Sequence, residues 1–110
     1  MAINDEGRQV QIAEQLSETV RTLAHSTRNV PESADSYALL GALSASLWGL
    51  HQVADQLGRW HANAAAESGD RRACEEVETH LRKAADLLWN AGVQLDQAHT
   101  ANGRIGWLSQ

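Results

Sequence analysis

An apolar side chain recurs at alternating steps of three and four residues between positions 74 and 98, and this feature most constrains the fold. The repeating residues are Cys74, Val77, Leu81, Ala84, Leu88, Ala91, Leu95 and Ala98. An α-helix has about 3.6 residues per turn, so steps of three and four return to the same side of it. The spacing therefore predicts a long amphipathic helix with one buried face.

Two earlier segments have the same helical period. The first can be capped by Asn4 or Asp5, and its apolar stripe is Ala13, Leu16, Val20 and Leu23. The second begins after Ser33 or Asp35 and reaches Ala66. Its stripe is Leu40, Leu43, Leu47, Leu50, Ala54 and Leu57, widened by Val53 and Trp60. No strand is evident, so the sequence predicts three helices.

Turn-forming residues separate these segments at two places. Pro31, the only proline, lacks an amide hydrogen and biases Val30 away from helical geometry, which predicts a turn near residues 27–33. The second helix is expected to stop and the third to restart at Ser68, Gly69 and Asp70, with the aspartate as the cap.

Short connections favour antiparallel neighbours, so the predicted fold is an all-α, antiparallel three-helix bundle. Its second and third helices are long, about 45 Å each at 1.5 Å per residue. Such a rod exposes much surface, and dimerisation into a larger bundle is an alternative way to complete it. Asn102 and Gly103 end the third helix, which gives one domain at 1–103 and an apolar tail at 104–110.

The charge balance disfavours a nucleic-acid partner. Nine Lys and Arg residues stand against fourteen Asp and Glu, a formal net charge of -5, which opposes attraction to phosphates. The basic residues that share a helix face are interrupted by glutamates, which is typical of a solvated mixed-charge surface rather than a phosphate-binding stripe. These residues are Arg71, Arg72, Arg82 and Lys83.

The expected compartment is the cytoplasm, without a membrane segment. Cys74 is the only cysteine and cannot form an internal disulfide. The first residues lack the basic and apolar regions of a secretion signal. No apolar run approaches the roughly 20 residues that span a bilayer.

Small residues on the second helix indicate a candidate interaction groove. Gly41, Ala45 and Gly49 follow one another at four-residue steps, and glycine in a helix interior suggests a close approach. Folding the chain back near Ser68 also brings Trp48 close to Trp89. The groove can be filled within the protein, by a second subunit or by a ligand.

The apolar tail is the second candidate interaction element. An exposed cluster of large apolar side chains is seldom left in water. The tail can therefore fold back beside Tyr37, or it can dock on another chain. Its large apolar residues are Ile105, Trp107 and Leu108.

No pattern of catalytic residues or of cofactor ligands is found. The carboxylate–histidine pairs with helical spacing lie far apart along the predicted rod, which disfavours a metal centre. These pairs are His51 with Asp55, Glu76 with His80, and Asp96 with His99. Cys74 lies on the apolar stripe, where a cysteine is more often a small buried side chain than a catalytic nucleophile. We expect no enzyme activity and no cofactor.

Two resemblances add to this interpretation. The segments 37–41, 55–61 and 98–107 resemble a group of small, all-helical, uncharacterised actinobacterial proteins, which implies a common fold and no particular activity. The length and the Trp48-Gly49 pair resemble the WXG100 family of secreted helical hairpins. In that family a Trp-x-Gly motif lies in the turn between two helices, whereas here the two residues are adjacent and in the middle of a helix.

The sequence thus favours a non-enzymatic helical interaction protein, with a protein partner or a second copy, as in a homodimer. It would act as a homo-oligomer, an adaptor or a regulator. The alternative function is a bundle that binds a small ligand or a metal.

Overall fold

The computed structural model describes residues 7–29, 32–65, 67 and 69–107. These residues form no strand, and their helices are α1 (Arg8–Ser26), α2 (Ser33–Ala64) and α3 (Arg71–Asn102). The predicted all-α fold with three helices, of which the second and third are long, is confirmed. Several residues of the predicted caps, breaks and tail lie outside the described residues, namely Asn4, Asp5, Val30, Pro31, Ala66, Ser68 and Leu108.

The chain divides into two compact units, Met1–Glu32 and Ser33–Gln110. The division falls in the region where the sequence predicts a turn. Residues 104–107, the described part of the tail that was expected after a single domain at 1–103, belong to the same unit as α2 and α3.

The first unit contains α1. Gly7 precedes the helix with a φ of 75°, in the left-handed region that glycine adopts without steric cost. The helix is amphipathic as predicted, and none of its residues is buried. Its end at Ser26 is stabilised by the backbone N–H of Thr27, which donates to the carbonyl of Leu23 at 2.9 Å.

In the second unit, α2 and α3 pack against each other as an antiparallel hairpin. Contacts that run in opposite directions along the two helices fix this orientation. The contacting pairs are Ser36 with Asn102, Ser44 with Asp96, His51 with Ala85, and Gly58 with Leu81. Each helix has 32 residues and is about 48 Å long.

The ends of α3 have distinct local causes. Its start is capped as predicted, because the carboxylate of Asp70 accepts the backbone N–H of Ala73 at 3.0 Å. At its end, Gly103 has a φ of -63° and needs no left-handed conformation. A Cβ on Gly103 would lie 3.1 Å from Cε1 of Tyr37, so glycine here leaves room for the tyrosine ring.

Small residues fill the centre of the α2–α3 interface. Among the described residues, the buried ones are Ser44, Ala54, Gly58, Ala85 and Gly92, and no large side chain is fully buried. Small residues let two helix backbones approach closely. They also contribute little apolar burial, so the hairpin has no large core within itself.

Only one half of the predicted α3 stripe faces α2. Leu81, Leu88 and Leu95 are partly buried as expected. The prediction was wrong for three of the remaining residues, and Ala85 and Gly92, which lie outside the predicted stripe, are the buried residues of α3. Val77, Ala91 and Ala98 are instead exposed on one flank of the interface, and Ala84 beside them is partly buried.

Candidate functional site

One edge of the α2–α3 interface carries a row of aromatic and polar side chains, which we call the aromatic seam. It begins at the open end of the hairpin, where α2 starts and α3 ends. Its residues are Tyr37, Gly41, Ser44, Trp48 and His51 on α2, with Ala85, Trp89, Gly92, Asp96 and His99 on α3.

Glycines on the opposite helix make room for two rings of the seam. A Cβ on Gly41 would lie 3.0 Å from Nε2 of His99, whose ring stacks on Tyr37 at a centroid distance of 3.9 Å. A Cβ on Gly92 would lie 3.2 Å from two carbons of the Trp48 indole. An alanine at either glycine would require the facing ring to shift by a few tenths of an ångström.

Asp96 holds two hydrogen bonds across the seam. One carboxylate oxygen accepts the hydroxyl of Ser44, and the other accepts the indole N–H of Trp48 at 3.2 Å. Ser44 is 3% exposed, so Asp96 satisfies a hydroxyl that water barely reaches. The sequence interpretation missed this role because it considered Asp96 only as a possible metal ligand.

Trp89 completes the seam with contacts to two rings of α2. As predicted, Trp48 and Trp89 are neighbours, with ring centroids 4.8 Å apart and an edge-on angle of 75°. His51 contacts Trp89 edge-on at 5.3 Å, and its Nδ1–H donates to the carbonyl of Ala85 at 2.8 Å. The sequence suggested a ligand in this region. In the structure the two tryptophans contact each other there, and they also contact His51 and Asp96 of the hairpin.

The predicted groove of small residues does not follow the interface. Gly41 is covered by His99, whereas Ala45 is exposed and nothing lies within 4 Å of a Cβ on Gly49. Steps of four residues rotate around a helix by about 40° each. The strip therefore turns away from α3 after Gly41.

The opposite edge of the interface forms a broad surface without any Asp, Glu, Lys or Arg, which we call the charge-free face. It consists of two rows of residues on each helix, and successive residues of a row lie seven positions apart. Twelve of the seventeen residues are exposed and five are partly buried. Its α2 residues are Leu39, Leu43, Ser46, Leu50, Val53, Leu57, Trp60 and Ala64. Its α3 residues are Ala73, Val77, His80, Ala84, Leu87, Ala91, Gln94, Ala98 and Ala101.

Most of the exposed large apolar side chains of the hairpin lie on this face. Five of the seven on α2 and α3 belong to it, namely Val53, Leu57, Trp60, Val77 and Leu87. The other two, Tyr37 and Trp89, belong to the aromatic seam. All charged residues of the two helices lie at other positions, including the exposed pairs Arg59–Asp55 and Arg82–Glu78. The charges and large apolar side chains are therefore largely segregated around the hairpin.

The predicted interaction tail lies at the open end of the hairpin. Ile105 and Trp107 are about half exposed, and with Tyr37 they line a shallow pocket of about 360 Å³. Asn102 also lines it and donates its side-chain N–H to the hydroxyl of Ser36 at 2.7 Å. The amide oxygen of Asn102 is buried and has no hydrogen-bond partner among the described residues.

No metal centre emerges from the described parts of the chain. No group of three or more His, Cys, Asp or Glu side chains could hold a metal ion there. The histidines of two suggested ligand pairs, His51 and His99, make ring contacts within the seam. Arg82, one of the basic residues that share a face of α3, pairs with Glu78 at 2.7 Å, as in a mixed-charge surface.

Comparison of the chain with protein-family models, curated proteins and solved structures gives no match. None of the helices in the described ranges combines the length and the apolar character that crossing a membrane requires.

Proposed function

We propose that this chain is a non-enzymatic, cytoplasmic helical protein that works by binding another polypeptide through the charge-free face. The observation that carries the proposal is the segregation of residues around the hairpin. Apolar side chains are gathered on one side and charged residues are excluded from it. Such contiguous apolar surface is typical of contact sites on proteins.

The small size of the core between α2 and α3, among the residues that the structure describes, supports the same function. Burial of a large apolar side chain contributes about 1.5–3 kcal/mol, and the described residues bury none of this kind fully. A partner on the charge-free face would bury Val53, Leu57 and Leu87, which are now at least 45% exposed. Binding and stability would then have the same physical origin.

Site-specific photo-cross-linking in the full chain tests this function. A photoreactive amino acid is placed at Ala91, which is exposed on the charge-free face, or at Ala45, which is exposed on another side of the hairpin. After irradiation in expressing cells, we expect a polypeptide adduct from position 91 and much less from position 45. If position 91 gives no intermolecular adduct of any mass, the proposal is contradicted.

Small-ligand binding is the second candidate function, and the pocket at the open end of the hairpin favours it. Tyr37, Ile105 and Trp107 line this pocket, a composition suited to a small apolar or aromatic molecule. A thermal-shift screen of small aromatic compounds tests it with wild type and Trp107→Ala. A compound that stabilises only wild type would support this function, and a screen without any such compound would oppose it.

A further inference from the structure

We infer that the occupant of the charge-free face is a second copy of this chain, so that two hairpins pack face to face as a four-helix bundle. This inference rests on the proposed function and names its partner. It is carried by the face's composition, its size and the position of its residues in the heptad pattern.

The composition of the face suits an identical partner. In a two-fold symmetric dimer the same surface lies on both sides of the contact, so every residue meets residues of its own set. A face with charges of one sign would then place like charges near each other. The charge-free face avoids this penalty, because its rows contain no Asp, Glu, Lys or Arg.

The size of the face matches what a stable dimer requires. Two helices of 32 residues side by side give a surface about 48 Å long and about 20 Å wide, on the order of 900 Å² per chain. Stable protein–protein interfaces bury about 800 Å² per partner. No additional element is needed to reach that area.

The heptad pattern also extends beyond the α2–α3 interface. A helix in a four-helix bundle contacts two neighbours, and its apolar stripe is wider than in a two-helix pair. On α3 the interface uses Ala85 and Gly92, while Ala84 and Ala91 continue the stripe by one position on the flank. On α2 this flank contains Leu43, Leu50 and Leu57 at the same seven-residue step.

Light scattering after size exclusion of the full chain tests the inference over a hundredfold concentration range. We expect wild type to approach twice the 12.0 kDa mass of one chain at high concentration. Ala91→Glu places a carboxylate in both halves of the contact, and we expect it to weaken the dimer at least about a hundredfold. Ala45→Glu is the matched control, since it makes the same change at an exposed helical alanine outside the face, and it should remain a dimer.

A second variant keeps the test valid if Ala91→Glu fails to fold. Leu87 is 69% exposed within its own chain, so Leu87→Glu removes face contacts without disturbing the hairpin. Circular dichroism must show that both variants keep their helix content. Helical, monomeric variants beside a dimeric Ala45→Glu support the inference.

Other occupants give different results. If wild type stays monomeric over the whole concentration range, the inference of a second copy is overturned. It is also overturned if the dimer is lost in Trp107→Ala but kept in Ala91→Glu. If position 91 still cross-links to a chain of another mass, the proposed function survives and only this inference fails. A monomer whose position 91 cross-links only within the chain, to α1 for example, overturns both.

Discussion

The aromatic seam shows how single residues determine the fit between α2 and α3. Trp48 lies on Gly92, contacts Trp89 and donates to Asp96, so the position of its ring is fixed from three sides. A glycine inside a helix costs about 1 kcal/mol relative to alanine. At Gly92 that cost is offset by the room it leaves for the indole.

Alanine at two helical glycines should therefore have opposite effects. Gly49→Ala adds a methyl group where nothing lies within 4 Å, and we expect it to raise the free energy of unfolding by about 0.5–1 kcal/mol. Gly92→Ala places a methyl group 3.2–3.3 Å from three atoms of Trp48, and we expect a net loss of about 1 kcal/mol. Urea unfolding followed by tryptophan fluorescence measures both. Equal stabilisation by the two variants would show that the Trp48 ring is free to move.

Asp96 gives a second prediction for single residues. Asp96→Ala removes the acceptor for the Ser44 hydroxyl and the Trp48 indole, and we expect the free energy of unfolding to fall by about 1–3 kcal/mol. Asp96→Asn keeps one acceptor for the indole and offers an N–H to the hydroxyl, so it should retain most of the stability. Urea unfolding compares the two variants with wild type. If Asp96→Ala were as stable as wild type, the hydrogen bonds of the seam would contribute nothing.

For whole helices, the cap of α3 was predicted from the sequence and is confirmed. The prediction rested on the position of Asp70, which follows a glycine and precedes a segment with helical spacing of its apolar residues. In the structure its carboxylate accepts the backbone N–H of Ala73. We expect Asp70→Ala to lower the free energy of unfolding by about 1 kcal/mol, because one backbone donor loses its partner. Asp70→Asn should retain the cap and most of the stability. The same loss in both variants, measured by urea unfolding, would assign the effect to charge rather than to capping.

The helices themselves were predictable, but the flank of α3 that meets α2 was not. Positions 84 and 85 are both alanine, and 91 and 92 are alanine and glycine, so hydrophobicity does not distinguish the two registers. The choice depends on the facing helix, since the Trp48 ring lies against Gly92. The register of α3 against α2 therefore depends on contacts between segments that are distant in the sequence, whereas helical periodicity is visible within one segment.

The candidate site was predictable to a similarly limited extent. The neighbourhood of Trp48 and Trp89 followed from the antiparallel pairing of two equal helices. The hydrogen bonds of Asp96 did not, because they depend on side-chain geometry across the pair. The sequence already lacks charged residues at the positions of the charge-free face. This pattern becomes evident only when the observed contacts show which residues of α2 and α3 share that face.

The whole molecule adds a concentration dependence that no single helix has. If two copies share the charge-free face, folding and association are coupled, and each tenfold rise in protein concentration stabilises the folded dimer by about 1.4 kcal/mol. For a dimer of two 110-residue chains this should raise the melting temperature by about 3–6 °C per tenfold step. Ala91→Glu should melt at one temperature throughout, whereas Ala45→Glu should follow wild type. Circular dichroism melts at three concentrations measure this, and a wild-type melting temperature that does not change with concentration would mean that the hairpin is stable without a second copy.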